Sequence, residues 1–433
     1  MPATQKYLLV VGGPTASGKT GLAIALARYF STVILSADSR QFYHELEIGN
    51  ARPSADELAV ARHYFVADRS VEEPLSAGAF AREALTLLEQ EFQDKDVVVL
   101  VGGSGLFVRA LTEGLDEFPS IAAGTRAKVD QLFEERGLEG LQNELAAVDP
   151  DYYAEVDQQN PARLRRALEV FHESGQPYSS FRQQHTQARS FQPIYLQPHW
   201  PRAALYDRIN RRVHAMIAAG LEEEARSLER FRALSALQTV GYQEWWPYFA
   251  GEQSMDGTVE LIQQNSRNYA KRQLTWNRRD GYWKLVPQAD LRAALSYIHL
   301  VRQNGLVLKK FPASDQPILH GREERKRLGL IHQTTEEVMA VVDLAHWKKK
   351  VVLRFWKNTE LGHHEAAVLL HEACYRADTE EVYTITVKGK DEALLQSLGW
   401  KPLDELDNPL LMLLDKKESS TQYWIWQRSK QEF

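Results

Sequence analysis

A single cysteine, Cys374, in a chain of 433 residues excludes an internal disulfide framework and any cysteine-rich zinc site. It fits a reducing compartment. No apolar run approaches the roughly 20 residues that a membrane span needs. Met1 to Lys6 runs straight into the first apolar segment, which leaves no room for a signal peptide, so a cytoplasmic location is expected. Excess positive charge is absent too. With 52 Lys and Arg against 58 Asp and Glu, the net charge is -6. Overall electrostatics do not attract nucleic acid, and any such binding must come from a local basic patch.

What is present describes an ordinary folded chain, 44% hydrophobic and 25% charged. Its length predicts two or three domains. The most specific stretch is Gly13-Pro14-Thr15-Ala16-Ser17-Gly18-Lys19-Thr20, which fits the phosphate-binding pattern G-x-x-x-x-G-K-[ST]. Tyr7 to Val11 reads as a buried parallel strand, and Thr20 to Phe30 as a helix with an apolar face. Strand, loop and helix are the order the chemistry needs. Backbone N–H groups converge on a phosphate at a helix N-terminus, Lys19 adds a full charge, and the Thr20 hydroxyl suits Mg2+. The loop implies a phosphorylated ligand without saying which.

Thr32 to Ser36 reads as a second parallel strand, ending at Asp38. A carboxylate there stands where α/β folds put reacting groups, but a helix cap or a Mg2+ partner would sit there equally well. Asp96 to Val101 reads as a third strand. It ends in Gly102-Gly103-Ser104, not in the acidic residue with which an ATPase or GTPase holds Mg2+. That absence weighs against nucleotide hydrolysis.

Asp56 to Arg62 and Ser76 to Gln90 are predicted helices. From about Leu115 the pattern turns helical, with helices at Thr125–Arg136, Gly140–Val148 and Pro161–Glu173. Arg163, Arg165 and Arg166 crowd one turn of the last, which suits a solvated face or a phosphate backbone. Ile194 to Leu196 returns to the sheet. Arg202 to Ala218 carries Arg208, Arg211 and Arg212. Positions 208 and 212 share a face, and spacing does not choose between them. Val240 to Trp245 opens another helix. Ser266 to Asp280 is a basic helix, with Arg267, Lys271, Arg272, Arg278 and Arg279 among Tyr269 and Trp276. That mixture suits a polyanion, or snorkelling side chains around a Trp anchor.

Past Pro287 the pattern changes again. Strands are predicted at 338–342, 351–355, 382–387, 410–414 and 423–427, and helices at 363–375 and 392–398. The unit has no metal-ligand spacing, and it carries the short basic run Lys348-Lys349-Lys350. The fold class read from all this is α/β. A P-loop-type parallel sheet with helices on both faces takes residues 1–114 and 193–288. A helical insertion takes 115–192, and a smaller α/β or α+β accessory unit takes 289–433. A fragment ending near Gln288 is expected to fold.

Together these motifs resemble the tRNA dimethylallyltransferase (isopentenyltransferase) family. The residues that carry the likeness are Gly13 to Thr20, Asp38-Ser39-Arg40-Gln41-Phe42-Tyr43, Ile48-Gly49-Asn50-Ala51-Arg52-Pro53 and Gly102-Gly103-Ser104-Gly105-Leu106-Phe107. They continue with Gln159-Asn160-Pro161-Ala162-Arg163 on to Val170, Gly241-Tyr242-Gln243-Glu244, and Ala270-Lys271-Arg272-Gln273-Leu274-Thr275-Trp276. They keep the family's order over roughly the first two thirds of the chain. Asn50, Ser104, Phe107 and Asn160 depart from the usual Thr, Thr, Tyr and Asp.

The resemblance implies a prenyl transfer from dimethylallyl diphosphate to N6 of adenine 37, next to the anticodon, in tRNAs that read codons beginning with U. The product would be N6-(dimethylallyl)adenosine, with diphosphate released. It implies Asp38, Ser104 and Arg212 as catalytic residues, with Arg212 preferred over Arg208 from the R-I-x-x-R-x-H pattern. Gly13 to Thr20 would bind the diphosphate or a nucleotide, with Thr20 on Mg2+. Asp38, Ser39, Arg40, Gln41, Gln159, Asn160, Pro161, Ala162, Arg163, Gly241, Tyr242, Lys271 and Arg272 would contact the tRNA anticodon stem-loop. A monomer without membrane association is expected. The rival readings are a small-molecule kinase, an adenylate isopentenyltransferase acting on free AMP, and a non-catalytic RNA-binding relative. The helical insertion speaks against the second, and the intact Asp38 beside an intact loop against the third.

Overall fold

The computed structural model describes residues 5–182, 187–280, 283–311, 324–347, 350–357, 361–377, 381–387, 392–397, 400–403 and 421–427. It divides into two compact units, one of 1–76, 83–108 and 190–433, the other of 77–82 and 109–189.

The first unit opens with β1 (Tyr7–Gly12) and α1 (Lys19–Phe30). It continues with β2 (Ile34–Ser36), α2 (Ala55–Val60), β3 (His63–Tyr64), α3 (Ala77–Asp94), β4 (Val97–Gly102) and α4 (Gly105–Thr112). β4 is the expected third strand. The two-residue β3 that precedes it is too short to leave a periodic signature. Every residue of β1 and β4 is buried, because a parallel strand is covered on both faces and has no polar side to show. Among the described residues the sheet runs β3-β2-β4-β1-β5-β6, all parallel, with β5 at Gln192–His199 and β6 at Lys284–Pro287. The chain leaves β1 toward β2 on one side and returns through β5 on the other. The loops after β1, β2, β4 and β5 therefore meet at the carboxyl ends, at a switch point where such sheets bind ligands.

The second unit holds α5 (Ala123–Val148), α6 (Pro150–Glu155), α7 (Pro161–Ser174) and α8 (Tyr178–Phe181) around Val129, Leu141, Leu145, Leu164 and Leu168. The two predicted helices at 125–136 and 140–148 form one stretch broken at Gly137, whose φ of 61° and ψ of -156° are not helical. α6 was not expected. Asp149 caps it through the Tyr152 N–H, and Pro150 supplies a φ fixed for the first turn. The unit begins at 109, earlier than the expected 115.

Back in the first unit, α9 (Arg202–Ala218) matches its expected bounds, and α10 (Leu221–Ser227) follows. The helix expected from Val240 is instead a turn, with Gly241 at φ 100°, and only the short α11 (Trp245–Phe249) comes after it. The basic helix is α12 (Met255–Asp280), a full 26 residues, and it packs on α9 through Leu205, Ile209, Ala270 and Leu274. Its first turns are polar enough to hide the helical start from periodicity.

α13 (Leu291–Asn304) leads from β6 into a second sheet of seven strands among the described residues, ordered β12-β13-β11-β10-β9-β8-β7. These are β7 (Leu306–Phe311), β8 (Glu324–His332), β9 (Val338–Trp347), β10 (Lys350–Lys357), β11 (Glu381–Val387), β12 (Lys401–Leu403) and β13 (Thr421–Gln427). β10 and β11 are parallel and are joined by α14 (His363–Ala377), while the other pairs are antiparallel. α15 (Glu392–Ser397) lies between β11 and β12. The strand expected at 410–414 falls outside the described residues. No helix among them is long and apolar enough to cross a membrane.

The structure does not set 289–433 apart from the core as a separate unit. One continuous hydrophobic cluster joins Leu9, Val11, Leu22 and Leu26 of β1 and α1 to Tyr297, Ile298 and Val301 of α13, and on to Leu330, Leu369 and Leu370. The sequence boundary at Pro287 marks a change of pattern, and the core runs through it. A chain ending at Gln288 loses several fully buried large side chains, each worth about 2–5 kcal/mol when truncated. That is large beside a typical total of about 5–15 kcal/mol. We therefore expect this fragment, followed by circular dichroism, to be insoluble or to melt about 10 °C or more below the full chain. Melting like that of the full chain would restore the sequence boundary.

Candidate active site

The phosphate loop is held open from several sides. α1 starts at Gly18 in the left-handed region, with no side chain capping its first turn. Its leading N–H groups are left for an anion. The loop's carbonyls, in contrast, are taken by protein donors. Trp200 Nε1 gives to Ser17 O at 2.8 Å, Arg208 Nε to Ala16 O at 2.8 Å, and Lys19 Nζ to Pro14 O at 2.8 Å. Acceptors are covered and donors are offered, the polarity that a phosphate requires.

Asp38 stands two residues past β2. Its backbone is fixed by Ser36 Oγ, and its carboxylate accepts from Arg40 N at 3.2 Å with Arg40 Nε 3.8 Å away. One cleft is lined by Asp38, Arg40, Thr15, Lys19, Thr20 and Arg212, and among the described residues Asp38 is the only carboxylate in that lining. Burial, with Arg212 and Arg40 nearby, lowers the Lys19 ammonium to about 8 although Asp38 pulls the other way. Burial and Arg40 likewise bring Arg212 down to about 10. For Arg40 burial works in the same direction, but Asp38 and then Tyr269 outweigh it and hold the guanidinium above its ordinary value. Three cations around one carboxylate leave surplus positive charge that a multiply charged anion would balance.

The structure separates the two arginines that spacing could not. Arg212 reaches Thr15 Oγ1 at 3.2 Å and lines the cleft with Asp38. Arg208 braces Ala16 and lies over the Trp200 ring at 4.2 Å. Ser104 Oγ meets Ser39, both N and Oγ at 3.2 Å, and bonds the Tyr269 phenol, whose ring stacks under Arg40 at 5.1 Å. Lys271 and Arg272 are exposed on α12. Gln159 to Arg163 lie in the other unit, at the start of α7. There Asn160 accepts from Arg163 N at 3.3 Å and caps the helix.

Two residues expected to contact tRNA also make internal hydrogen bonds. Tyr242 is 0% exposed and gives its hydroxyl to Glu224 at 2.6 Å. Gln41 is bound by Ser36 Oγ at 3.1 Å and itself gives to Ala51 O. Aromatic and amide residues beside a tight loop serve here to hold the loop. Asn50 does the same, its Nδ2 donating to Arg40 O at 2.9 Å and Leu46 O at 2.6 Å, two bonds that a single Thr hydroxyl proton does not supply.

Sequence reasoning missed Gln273, Glu224 and Tyr269. Gln273 Oε1 accepts from Thr15 N at 2.9 Å and its Nε2 gives to Gly103 O at 2.9 Å, which ties the phosphate loop to the end of β4. A Cβ on Gly103 would overlap that carboxamide, so the glycine is required. This bridge takes the place where a nucleotide hydrolase puts its acidic residue. Tyr269, Gln273, Trp276 and Asn277 recur at helical spacing on α12, and that polar stripe was the available signal. Glu224 binds the N–H groups of Glu47, Ile48 and Gly49 at 2.8–3.0 Å, a link across 175 or more positions that no local pattern announces. Among the described residues no group of three or more His, Cys, Asp or Glu gathers to hold a metal.

A family model described as IPP transferase matches residues 41–280. The chain is 47% identical over 274 residues to a tRNA dimethylallyltransferase of Christiangramia forsetii, covering 63% of this chain and 91% of that one. It is 44% identical over 298 residues to that of Cytophaga hutchinsonii, 69% of this chain and 98% of the relative. Among solved structures, the tRNA isopentenylpyrophosphate transferase of Bacillus halodurans aligns at TM-score 0.50 and 29% identity over 68% of this chain and 95% of its own. A eukaryotic dimethylallyltransferase acting on tRNA aligns at TM-score 0.59 and 20% identity, over 69% and 80%, a likeness of fold.

The lowered Lys19 predicts an alkaline limit to anion binding. A bound dianion favours the ammonium, so affinity holds below about 8 and falls above it, by up to about tenfold per pH unit. Calorimetry of dimethylallyl diphosphate binding between pH 7 and 9.5 reads this directly. Lys19→Arg, charged throughout, should flatten the curve, and a flat curve in the parent chain would remove Lys19 as the titrating group.

Proposed function

The chain belongs to the IPP transferase family, and from that membership we propose that it moves the dimethylallyl group of dimethylallyl diphosphate onto N6 of adenine 37 in tRNA. It is a prenyl-transferring enzyme. The acceptor position, the choice of tRNAs reading codons that begin with U, and the residue roles are the proposed part. The acceptor and the tRNA choice rest on the family resemblance, and one observation supports the residue roles: the carboxylate of Asp38 shares a cleft with Lys19, Arg40 and Arg212 at the mouth of a phosphate loop.

The exocyclic amine of adenine is a weak nucleophile, since its lone pair is delocalised into the ring. Its nitrogen forms a bond to C1 of the prenyl group while the bond from C1 to the diphosphate oxygen breaks. The amine proton passes to Asp38, a general base worth about a hundred- to ten-thousandfold. Negative charge gathers on the departing diphosphate, where Lys19, the α1 N–H groups and Arg212 meet it. Ser104, held between Ser39 and Tyr269, orients the segment that carries Asp38. Thr20 lines the same cleft, and its hydroxyl would hold a Mg2+ ion there. Such an ion supplies charge neutralisation on the leaving group.

The adenine must leave its stack to reach the cleft, which implies a flipped base. Exposed Lys271 and Arg272, with Ser39 and Arg40 at the cleft, would give an anticodon stem-loop its contacts on this unit, and Gln159 to Arg163 would give separate contacts on the helical one.

Mass spectrometry of tRNA nucleosides after incubation with dimethylallyl diphosphate tests the reading. A dimethylallyl adduct on adenine 37 with stoichiometric diphosphate is expected, and ADP released from ATP would sink it. In the same assay Asp38→Asn should cut turnover by about 10² to 10⁴ with tRNA affinity within a few-fold. Arg212→Ala should cost about 10² to 10³ in kcat. Near-normal turnover in Asp38→Asn would remove it as the base.

A further inference from the structure

We propose that Glu372, on α14, is a positioning residue for the phosphate loop, acting through β6. The proposal rests on the reading of that loop as the diphosphate-donor site.

β6 is the last strand of the parallel sheet. It pairs with β5 on one side, Leu196 to Lys284 through His199 to Pro287. On its other side no strand follows among the described residues, and buried backbone groups there need partners. Two side chains of α14 provide them. Glu372 accepts from Leu285 N at 3.0 Å, and Arg376 gives to Trp283 O. Trp283 and Leu285 are alternate residues, so these groups face the same edge, and a carboxylate and a guanidinium stand in for a neighbouring strand. The same carboxylate pairs with Lys284 Nζ at 3.0 Å and Arg376 Nε at 2.6 Å. Glu372 is 0% exposed and Lys284 5%. A site this dry holds charge only in such an arrangement, and losing one member leaves the others uncompensated.

What this edge carries is the floor of the phosphate loop. The Trp283 ring lies against Gly12, where a Cβ would overlap it, and packs on Tyr195 at 5.1 Å. Two residues past β6, Ala289 stands against Gly18, its Cβ 3.3 Å from where a Gly18 Cβ would be. Gln288 N is tied to His199 O at 2.9 Å. Both ends of the loop thus rest on a segment whose outer edge Glu372 holds. Among the described residues, 289–433 contribute no side chain to the cleft lining, so their influence on donor binding runs through this edge.

The test uses the full chain carrying Glu372→Gln or, separately, Trp283→Phe, assayed at a temperature where circular dichroism shows the variant folded. A loop misplaced by a fraction of an ångström should raise the KM for dimethylallyl diphosphate and the calorimetric Kd for inorganic diphosphate about tenfold. The KM for an anticodon stem-loop should stay within about twofold, because Glu372 bonds Lys284 and Leu285 and neither Lys271 nor Arg272. A purely structural role would lower the melting temperature and leave both donor values at the parent's, and that result in either folded variant overturns the proposal. Should the parent bind diphosphate and yet transfer no prenyl group, the fault lies in the functional reading and the diphosphate Kd still decides this one.

Discussion

The costly feature of this molecule is a half-buried knot of like charge. Lys19, Arg40 and Arg212 face one carboxylate, and burial already brings Lys19 to about 8. Such a set repels itself, and it holds only because every neighbour is constrained. Asn50 O receives Arg212, Val240 O receives Arg40, and Pro14 O receives Lys19. Glu224 and Tyr242 pin the 47–49 loop that presents Asn50, and Gln273 pins Thr15 to Gly103. These contacts lie outside the chemistry, yet without them the cations would turn toward solvent. A multiply charged anion entering the cleft completes a balance that the protein alone leaves open.

How much of this could be read in the chain depends on how local each interaction is. The phosphate loop, Asp38 beyond β2 and the absence of an acid after β4 are local, and all were legible. So were the bounds of α9, because Arg202 to Ala218 is amphipathic from end to end. Tyr242 and Gln41 are held in place by internal hydrogen bonds that no motif announces. Glu224 and Glu372 were silent, and Gln273 stood in a quoted motif that gave no hint of its partners. A buried glutamate reads like a surface one until the fold brings its N–H partners to it, and each of these reaches 80 or more positions along the chain.

The C-terminal third shows the same limit at a larger scale. Its strands were visible as alternating apolar runs, and the change of pattern past Pro287 was real. Independence did not follow from it. α13 places Tyr297, Ile298 and Val301 in the same cluster as Leu22 and Leu26 of α1, so the second sheet is continuous with the first through a shared core. Periodicity reports which face of an element is buried and says nothing about what buries it.

A relative such as that of Cytophaga hutchinsonii is covered over 98% of its own length by 69% of this chain, so the added third has no counterpart there. An addition of that kind meets an existing surface, and the exposed edge of an open sheet is the part of that surface with unmet hydrogen bonds. Pairing another β-strand with β6 would have extended the sheet. Instead a helix lies across the edge and answers it with Glu372 and Arg376. A helix has no free backbone groups along its flank, so only side chains can satisfy a strand edge, and ionised ones do so most strongly. Their charge then needs its own partner in the dry interface, and Lys284, in the strand being covered, is that partner. The choice of helix over strand thus accounts for the buried charges, and the charges fix β6 in one register against the segment that supports the phosphate loop.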